Sequence, residues 1–253
     1  PAARQSMGLR AMDLREERPA CFAAAHAKPV LELQNVTLAY QKQPVLQNLS
    51  LRAAPGDVIA VVGRNGAGKT TFSRALCGLH REASGSYLWN GTPQSPKERR
   101  KRSYMVLQDV NYQLFAESVE AKCTFGIRHP DAALAQQVLD ELGLAPLRAR
   151  HPNTLSGGQK QRLAAAVSLV CGKELLVFDE PTSGLDYDSM VRLAALIRQL
   201  AGSGKIVFIV THDYEFVCRS CTRILHLGSG GIRDDLSLTE ALLPRVNAIF
   251  QGR

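Results

Sequence analysis

Eight residues, Gly63-Arg64-Asn65-Gly66-Ala67-Gly68-Lys69-Thr70, constrain this chain more than any others. They follow the continuous apolar run Val58–Val62 and precede a helix-compatible stretch, Thr70–Leu79. An apolar run of that length and composition reads as a strand covered on both faces in a parallel sheet. The turn after it matches GxxxxGK[ST], and it sits where the mechanism of that motif requires. Its glycines let the backbone curl its N–H groups round phosphate oxygens, because side chains there would obstruct the approach. The helix start behind it adds partial positive charge. Gly63, Asn65, Gly66 and Gly68 are therefore the expected cradle for a triphosphate. Lys69 is expected to neutralise the β- and γ-phosphates, Thr70 to ligate Mg2+ and Thr71 to support the α-phosphate.

Other segments set the fold class. Leu175–Phe178 and Ile206–Val210 are further buried-strand candidates, and Met190–Leu200 between them is apolar at helical spacing, closed by Gly202 and Gly204. Strand, helix, strand in this rhythm predicts a parallel sheet with crossover helices, an α/β architecture. Val30–Leu33, Val36–Tyr40 and Leu46–Arg52 read as short strands ahead of it. The stretch 110–149 is rich in helix formers and lacks comparable strands, which predicts a helical insertion. Residues 1–29 mix charge, Ala and Pro without periodicity and read as a leader or linker; the first residue is Pro, as in a trimmed start or a piece of a longer polypeptide.

The strand Leu175–Phe178 ends in Asp179 and Glu180. Acidic groups at the end of a buried strand are costly without a cation or metal. Asp179 is expected to hold Mg2+, and Glu180 to polarise the water that attacks the γ-phosphate. With the phosphate loop, this pair indicates hydrolysis of a nucleoside triphosphate.

Composition adds limits. In 253 residues, 45% hydrophobic and 21% charged, disorder, collagen-like repeats and small disulfide scaffolds are excluded. No apolar run approaches the roughly 18 to 20 residues of a membrane-spanning helix. The net charge of +8 suits anionic partners without selecting one. Its densest cluster, Lys97–Arg102, is expected to be a solvated surface turn. Six scattered cysteines, including the CxxC of Cys218 and Cys221, have no second pair or His cluster to complete a zinc site, and read as reduced cytosolic thiols.

Leu155-Ser156-Gly157-Gly158-Gln159-Lys160-Gln161-Arg162 then narrows the class of phosphate-loop protein. With this stretch the chain resembles the ATP-binding cassette (ABC) ATPases over roughly 30–230, with the motifs in the family's order. The resemblance implies a P-loop NTPase (RecA-like) core with an N-terminal antiparallel β subdomain and an inserted α-helical subdomain at roughly 109–165. It divides the chain into a leader at 1–29, an ATPase domain at 30–232 and a short tail at 233–253. LSGGQ resembles the signature that the family uses in trans: Ser156, Gly157, Gly158 and Gln159 would bind the γ-phosphate of ATP held by a second cassette. Tyr40 resembles the aromatic that stacks on adenine. Gln108 resembles the glutamine that senses Mg2+ and the γ-phosphate and connects to a membrane partner. Asp186, in Ser183-Gly184-Leu185-Asp186, resembles the residue that communicates across the dimer, and His212 the switch histidine at the γ-phosphate.

Within the family, Asn111–Val119 with its Gln113-Leu114-Phe115 is similar to the ATPases of energy-coupling factor (ECF) importers, and the LSGGQKQR tail fits that group. Lys122-Cys123 departs from it, where acidic and apolar residues are expected. The implied function is an ATP-hydrolysing subunit at the cytoplasmic face of a membrane, in a homo- or heterodimer or tandem of cassettes. Its partners would be a transmembrane coupling protein and a substrate-binding membrane subunit that import a vitamin or a metal ion such as cobalt or nickel. The alternative is a soluble ABC ATPase acting on ribosomes or nucleic acid, favoured only by the charge; nucleic acid is not the expected partner.

Overall fold

The computed structural model describes residues 28–127 and 130–251. The leader proposed for 1–29 lies outside the described residues as far as residue 27, and Cys21 with it.

Three central strands carry the architecture: β3 (Val58–Val62), β7 (Leu175–Asp179) and β8 (Ile206–Val210). Every residue in them is buried, because both faces of the sheet are covered. Side chains on a strand alternate between faces. Ile59, Val61, Leu175, Val177, Ile206, Phe208 and Val210 thus enter one core, and Val58, Ala60, Val62, Leu176, Phe178, Val207 and Ile209 the other. The sheet has the order β10-β9-β3-β8-β7-β6, where β6 is Ser103–Val106, β9 Arg223–Gly228 and β10 Gly231–Ser237. All its neighbours are parallel except β10, which pairs antiparallel with β9.

The first core lies beneath a second, antiparallel sheet of order β2-β1-β4-β5, built from β1 (Leu31–Tyr40), β2 (Gln43–Ala53), β4 (Ala83–Trp89) and β5 (Thr92–Pro93). Helix α1 (Lys69–Leu76) is held between the sheets, its Phe72 meeting Phe208 edge-on with ring centroids 6.0 Å apart. On the opposite face lie α5 (Gly157–Val170), α6 (Tyr187–Gly202) and α7 (Tyr214–Ser220), while α3 (Val119–Thr124) and α4 (Ala132–Glu141) pack on α5 as the helical insertion. Helix α8 (Leu243–Gln251) follows β10 and buries Val246 and Phe250, the latter edge-on to Tyr214. This is the α/β fold that the pattern predicts, with the antiparallel sheet and helical insertion that the resemblance implies.

Two expectations change. The segments predicted as separate strands at Val30–Leu33 and Val36–Tyr40 form one strand, because Asn35 takes a left-handed conformation (φ 50°) at a bulge and the ladder resumes beyond it. The basic cluster is not a solvated turn but a helix, α2 (Pro96–Arg102), started by a capping box between Ser95 and Glu98 with Pro at its first position. Arg99 is buried: it lies 3.6 Å from the centroid of the Tyr87 ring and donates to the carbonyl of Ala75, while Arg100 donates to that of Gly78. Two cations thus add charged donors at the C-terminal end of α1, one to Ala75, which also accepts from Gly78 N, and one to Gly78 just beyond the helix.

The described cysteines form no disulfide. Burial pushes the thiol of Cys77 up to about 11 and those of Cys123 and Cys221 to about 12, so they behave as packing groups.

Candidate nucleotide-binding site

The phosphate loop is shaped by what it cannot contain. Gly63 sits at φ 150°, and a Cβ there would lie 2.3 Å from the carbonyl oxygen of Leu227 on β9. Gly68, at φ 90°, would meet the Leu46 side chain at 2.9 Å. Any side chain at either point would push the loop off the sheet, so glycine is required. Gly68 is the N-cap of α1, and no side chain bonds to the first turn. That leaves the backbone donors of this helix start for a ligand. Lys69, 8% exposed, turns back over the loop and donates to the carbonyls of Gly63 (2.8 Å) and Arg64 (3.1 Å), which places its ammonium at the centre of the cradle.

The ends of β7 and β8 bring the acidic pair and the histidine to the same place. Thr70 Oγ1 donates to Asp179 Oδ2 at 3.3 Å. Burial raises the pKa of Asp179 above the usual carboxylate value, opposed by the Thr70 hydrogen bond and by Arg74 and Lys69. Glu180 is left-handed (φ 51°), a conformation that costs a non-glycine residue about 1–3 kcal/mol. Its N–H donates to the Val210 carbonyl at 2.8 Å, which anchors it to β8. Its Oε1 lies 3.0 Å from His212 Nε2. Gln108 lies two residues beyond the end of β6.

One cavity of about 660 Å³ is lined by Asn65, Gly66, Gly68, Lys69, Thr70, Thr71, Gln108, Asp179, Glu180 and His212, together with Val45, Ser183 and Val210. Gly63 borders a neighbouring cavity instead. Ser156, Gly157, Gly158, Gln159, Tyr40 and Asp186 do not line the main cavity. Ser156 caps α5 in a box with Gln159, whose N–H lies 3.4 Å from Ser156 Oγ, and the helix start faces outward with Gly157 exposed. Tyr40 is 64% exposed at the end of β1. Asp186 caps α6 by accepting from Ser189 N at 2.7 Å, which lowers its pKa.

Thr70 and Asp179, joined by their hydrogen bond at the edge of the phosphate cradle, offer oxygen ligands. That set fits Mg2+, which is held by one or two protein oxygens plus substrate phosphates, and among the described residues no His/Cys/Asp/Glu cluster competes as a metal site. Val45 was not singled out by the sequence; it borders both cavities because the antiparallel sheet lies over the loop, a tertiary relation without a local pattern.

The family described as ABC transporter matches residues 46–183. A Treponema denticola protein, provisionally named an ABC transporter ATP-binding protein, is 51% identical over 205 residues, covering 81% of this chain and 42% of its own length. A Deinococcus radiodurans protein of the same name is 38% identical over 221 residues, covering 84% of this chain and 96% of its own. Among solved structures, a bacterial Atm1-family ABC exporter with ATP bound superposes with a TM-score of 0.76 at 25% identity, covering 93% of this chain and 44% of the exporter chain. The ATP-binding subunit of an ABC transporter gives 0.75 at 21% identity, covering 88% and 98%. The chain spans less than half the length of the two Treponema denticola relatives, 42% and 46%. The motifs, their convergence on one cavity and these matches together make the chain an ATP-binding domain of the ABC transporter family.

Proposed function

We propose that this domain hydrolyses ATP to drive a membrane transporter, and that the transporter is an importer of the ECF type for a vitamin or a transition-metal ion. The observation that carries the motor reading is the division of the site. Lys69, Thr70, Asp179, Glu180, Gln108 and His212 share one cavity, whereas the Ser156 helix start does not reach it. A triphosphate in the cradle would therefore be closed over by the Ser156–Gln159 segment of a companion cassette, either a second copy, a different chain or a neighbouring segment of a longer polypeptide.

Within the cavity, the loop amides, Lys69 and Thr71 would hold the phosphates, and Tyr40, exposed at the end of β1 outside it, would stack on the adenine. Thr70 and Asp179, with Gln108, would hold Mg2+, which would supply positive charge to offset that of the phosphates. Glu180 positions the attacking water and receives its proton, and His212 orients the Glu180 carboxylate and reaches the γ-phosphate. Asp186 would report closure to the companion. Binding pulls the two cassettes together because the closed pair holds the nucleotide from both sides; product release reopens it.

The docking side supports transport. Tyr112 and Phe115, in the segment that follows Gln108, and Phe125, at the end of α3, are 66–72% exposed in the helical insertion. They offer an apolar seat for a coupling helix of a membrane protein at the cytoplasmic face. Among the described residues no helix is long and apolar enough to cross a membrane. The Gln113-Leu114-Phe115 resemblance supports the ECF assignment. The ribosome or nucleic-acid alternative loses its main argument, because Arg99, Arg100 and Arg102 of the basic cluster bond within the chain.

Purification of the tagged chain from its own cells tests this. Retention of a coupling membrane protein with ATPase activity is expected; salt-sensitive recovery with ribosomes or nucleic acid would overturn it.

A further inference from the structure

A second cavity, of about 760 Å³, borders the phosphate loop and takes no part in the mechanism proposed above. Its walls are the loop from Gly63 to Ala67, the end of β9 with the turn into β10, and one side of α8. Val45, Asn65 and Gly66 border both cavities, so the two share the loop as a wall. Four elements each bring one basic side chain to this space: Arg64 from the loop, His226 from β9, Arg233 from β10 and Arg245 from α8. Among the described residues no acidic side chain lines it. Like charges gathered round one space repel each other, and hydrophobic packing does not ask for them.

Two of the four are held in place by an acid that does not line the cavity. Asp234 Oδ2 lies 2.9 Å from His226 Nδ1, and Asp234 Oδ1 accepts from the Arg245 guanidinium. The His226 hydrogen bond, helped by Arg245, holds the Asp234 carboxyl below its usual range, so it stays ionised and fixes both partners. The Arg245 side chain nevertheless remains 59% exposed. Arg233 is placed by packing instead: its stem runs across Gly228, where a Cβ would lie 2.7 Å from Arg233 Cδ. Its guanidinium makes no hydrogen bond or ion pair among the described residues.

We propose that this cavity binds a small diphosphate-bearing anion, separate from the ATP in the cradle. Guanidinium groups suit such a ligand because their planar donors take phosphate oxygens in pairs. The charges of Arg64, Arg233 and Arg245 against the one carboxylate of Asp234 leave a positive excess that favours a multiply charged anion over a singly charged one. Leu227, Ala248 and Ile249 add an apolar flank on which an organic group would rest. The site needs the shape of the phosphate loop but neither a companion cassette nor a membrane partner.

Equilibrium dialysis of the full chain with radiolabelled inorganic pyrophosphate tests this, with the cradle filled by a saturating non-hydrolysable ATP analogue and Mg2+. Retention of roughly one equivalent of label per chain is expected, as for a single site. Arg233→Gln should weaken retention by about tenfold or more, as expected for loss of a charge-assisted hydrogen bond, and Arg245→Gln likewise. The first substitution breaks no bond within the chain, so binding of the analogue should stay within about threefold. Lys97→Gln, which removes the same charge from α2 outside the cavity, should leave retention unchanged. Displacement of the label by a sugar bisphosphate at lower concentration than by unlabelled pyrophosphate assigns the site to an organic phosphate; the reverse order assigns it to an inorganic one. Absence of retained label in the parent, or equal retention in the parent and Arg233→Gln, overturns the site, and so does an equal loss in Lys97→Gln. None of these results touches the motor reading, which falls on ATP turnover instead.

Discussion

Two glycine-rich helix starts serve this molecule, and they are built in opposite ways. At α1 the glycines are forced by contact with Leu227 and Leu46, no side chain caps the first turn, and Lys69 fills the cradle from inside. At α5 the glycines are unconstrained: a Cβ at Gly157 meets nothing within 4 Å, and at Gly158 only ordinary contacts. There Ser156 and Gln159 cap each other. The first start is finished by its own chain. The second satisfies itself and does not line the main cavity, as the proposed sharing with a companion cassette requires.

Variants on the two sides should separate accordingly. The largest loss is expected from Lys69→Ala, which removes the cradle's cation. Turnover should fall by about 10²–10³-fold or more, and ATP binding with it, measured by steady-state hydrolysis and titration. Glu180→Gln should lower turnover by about 10²–10⁴-fold while ATP still binds and a closed pair accumulates, visible by size-exclusion chromatography; undiminished hydrolysis would remove Glu180 from its role. Ser156→Arg should block hydrolysis as well but leave the titration of the chain's own loop within about threefold, because Ser156–Gln159 do not line the cavity that holds Lys69. Equal weakening of ATP binding by Ser156→Arg and Lys69→Ala would erase the distinction between the two helix starts.

Smaller effects concern the frame behind α1. Arg99→Met should destabilise by about 1–3 kcal/mol in denaturant unfolding, from loss of the stacking on Tyr87 and of the charged donor to the Ala75 carbonyl, which keeps Gly78 N. Asp179→Asn should do the reverse. Burial raises the Asp179 pKa above its unfolded value, so the folded chain binds more protons between the two values and stability falls as pH rises through that window. At neutral pH the full penalty is present, and the variant should melt higher by roughly 1–3 °C. The difference should vanish below the unfolded pKa. A variant that melts lower at neutral pH would show that the carboxylate is stabilised in place.

How much of this was legible in the sequence depended on whether the cause was local. Val58–Val62 and Ile206–Val210 are strands over their predicted spans, since a strand buried on both faces must be apolar throughout. β10, Gly231–Ser237, was not legible: it is a polar edge strand defined by its pairing with β9. The capping box that makes Lys97–Arg102 helical is written in Ser95-Pro96-Lys97-Glu98, but charge density suggested a solvated turn, and the burial of Arg99 comes from Tyr87 and Ala75 elsewhere in the chain. At the site, Asn65, Gly66, Gly68, Lys69, Thr70 and Thr71 line one cavity with Gln108, Asp179, Glu180 and His212, residues that local motifs had singled out one by one. The basic lining of the second cavity had no local signal, because Arg64, His226, Arg233 and Arg245 are brought together by the fold.

The contrast between the two helix starts is tested most directly by complementation. Chains carrying Lys69→Ala keep only a working Ser156 helix start, and chains carrying Ser156→Arg only a working cradle. Each should be inactive alone. Mixed in equal amounts, random pairing should restore up to about a quarter of the parent's ATP turnover, since half of the pairs then hold one intact shared site. Turnover that stays at the sum of the separate chains, while the unaltered protein is active as a monomer, would contradict a site divided between two cassettes.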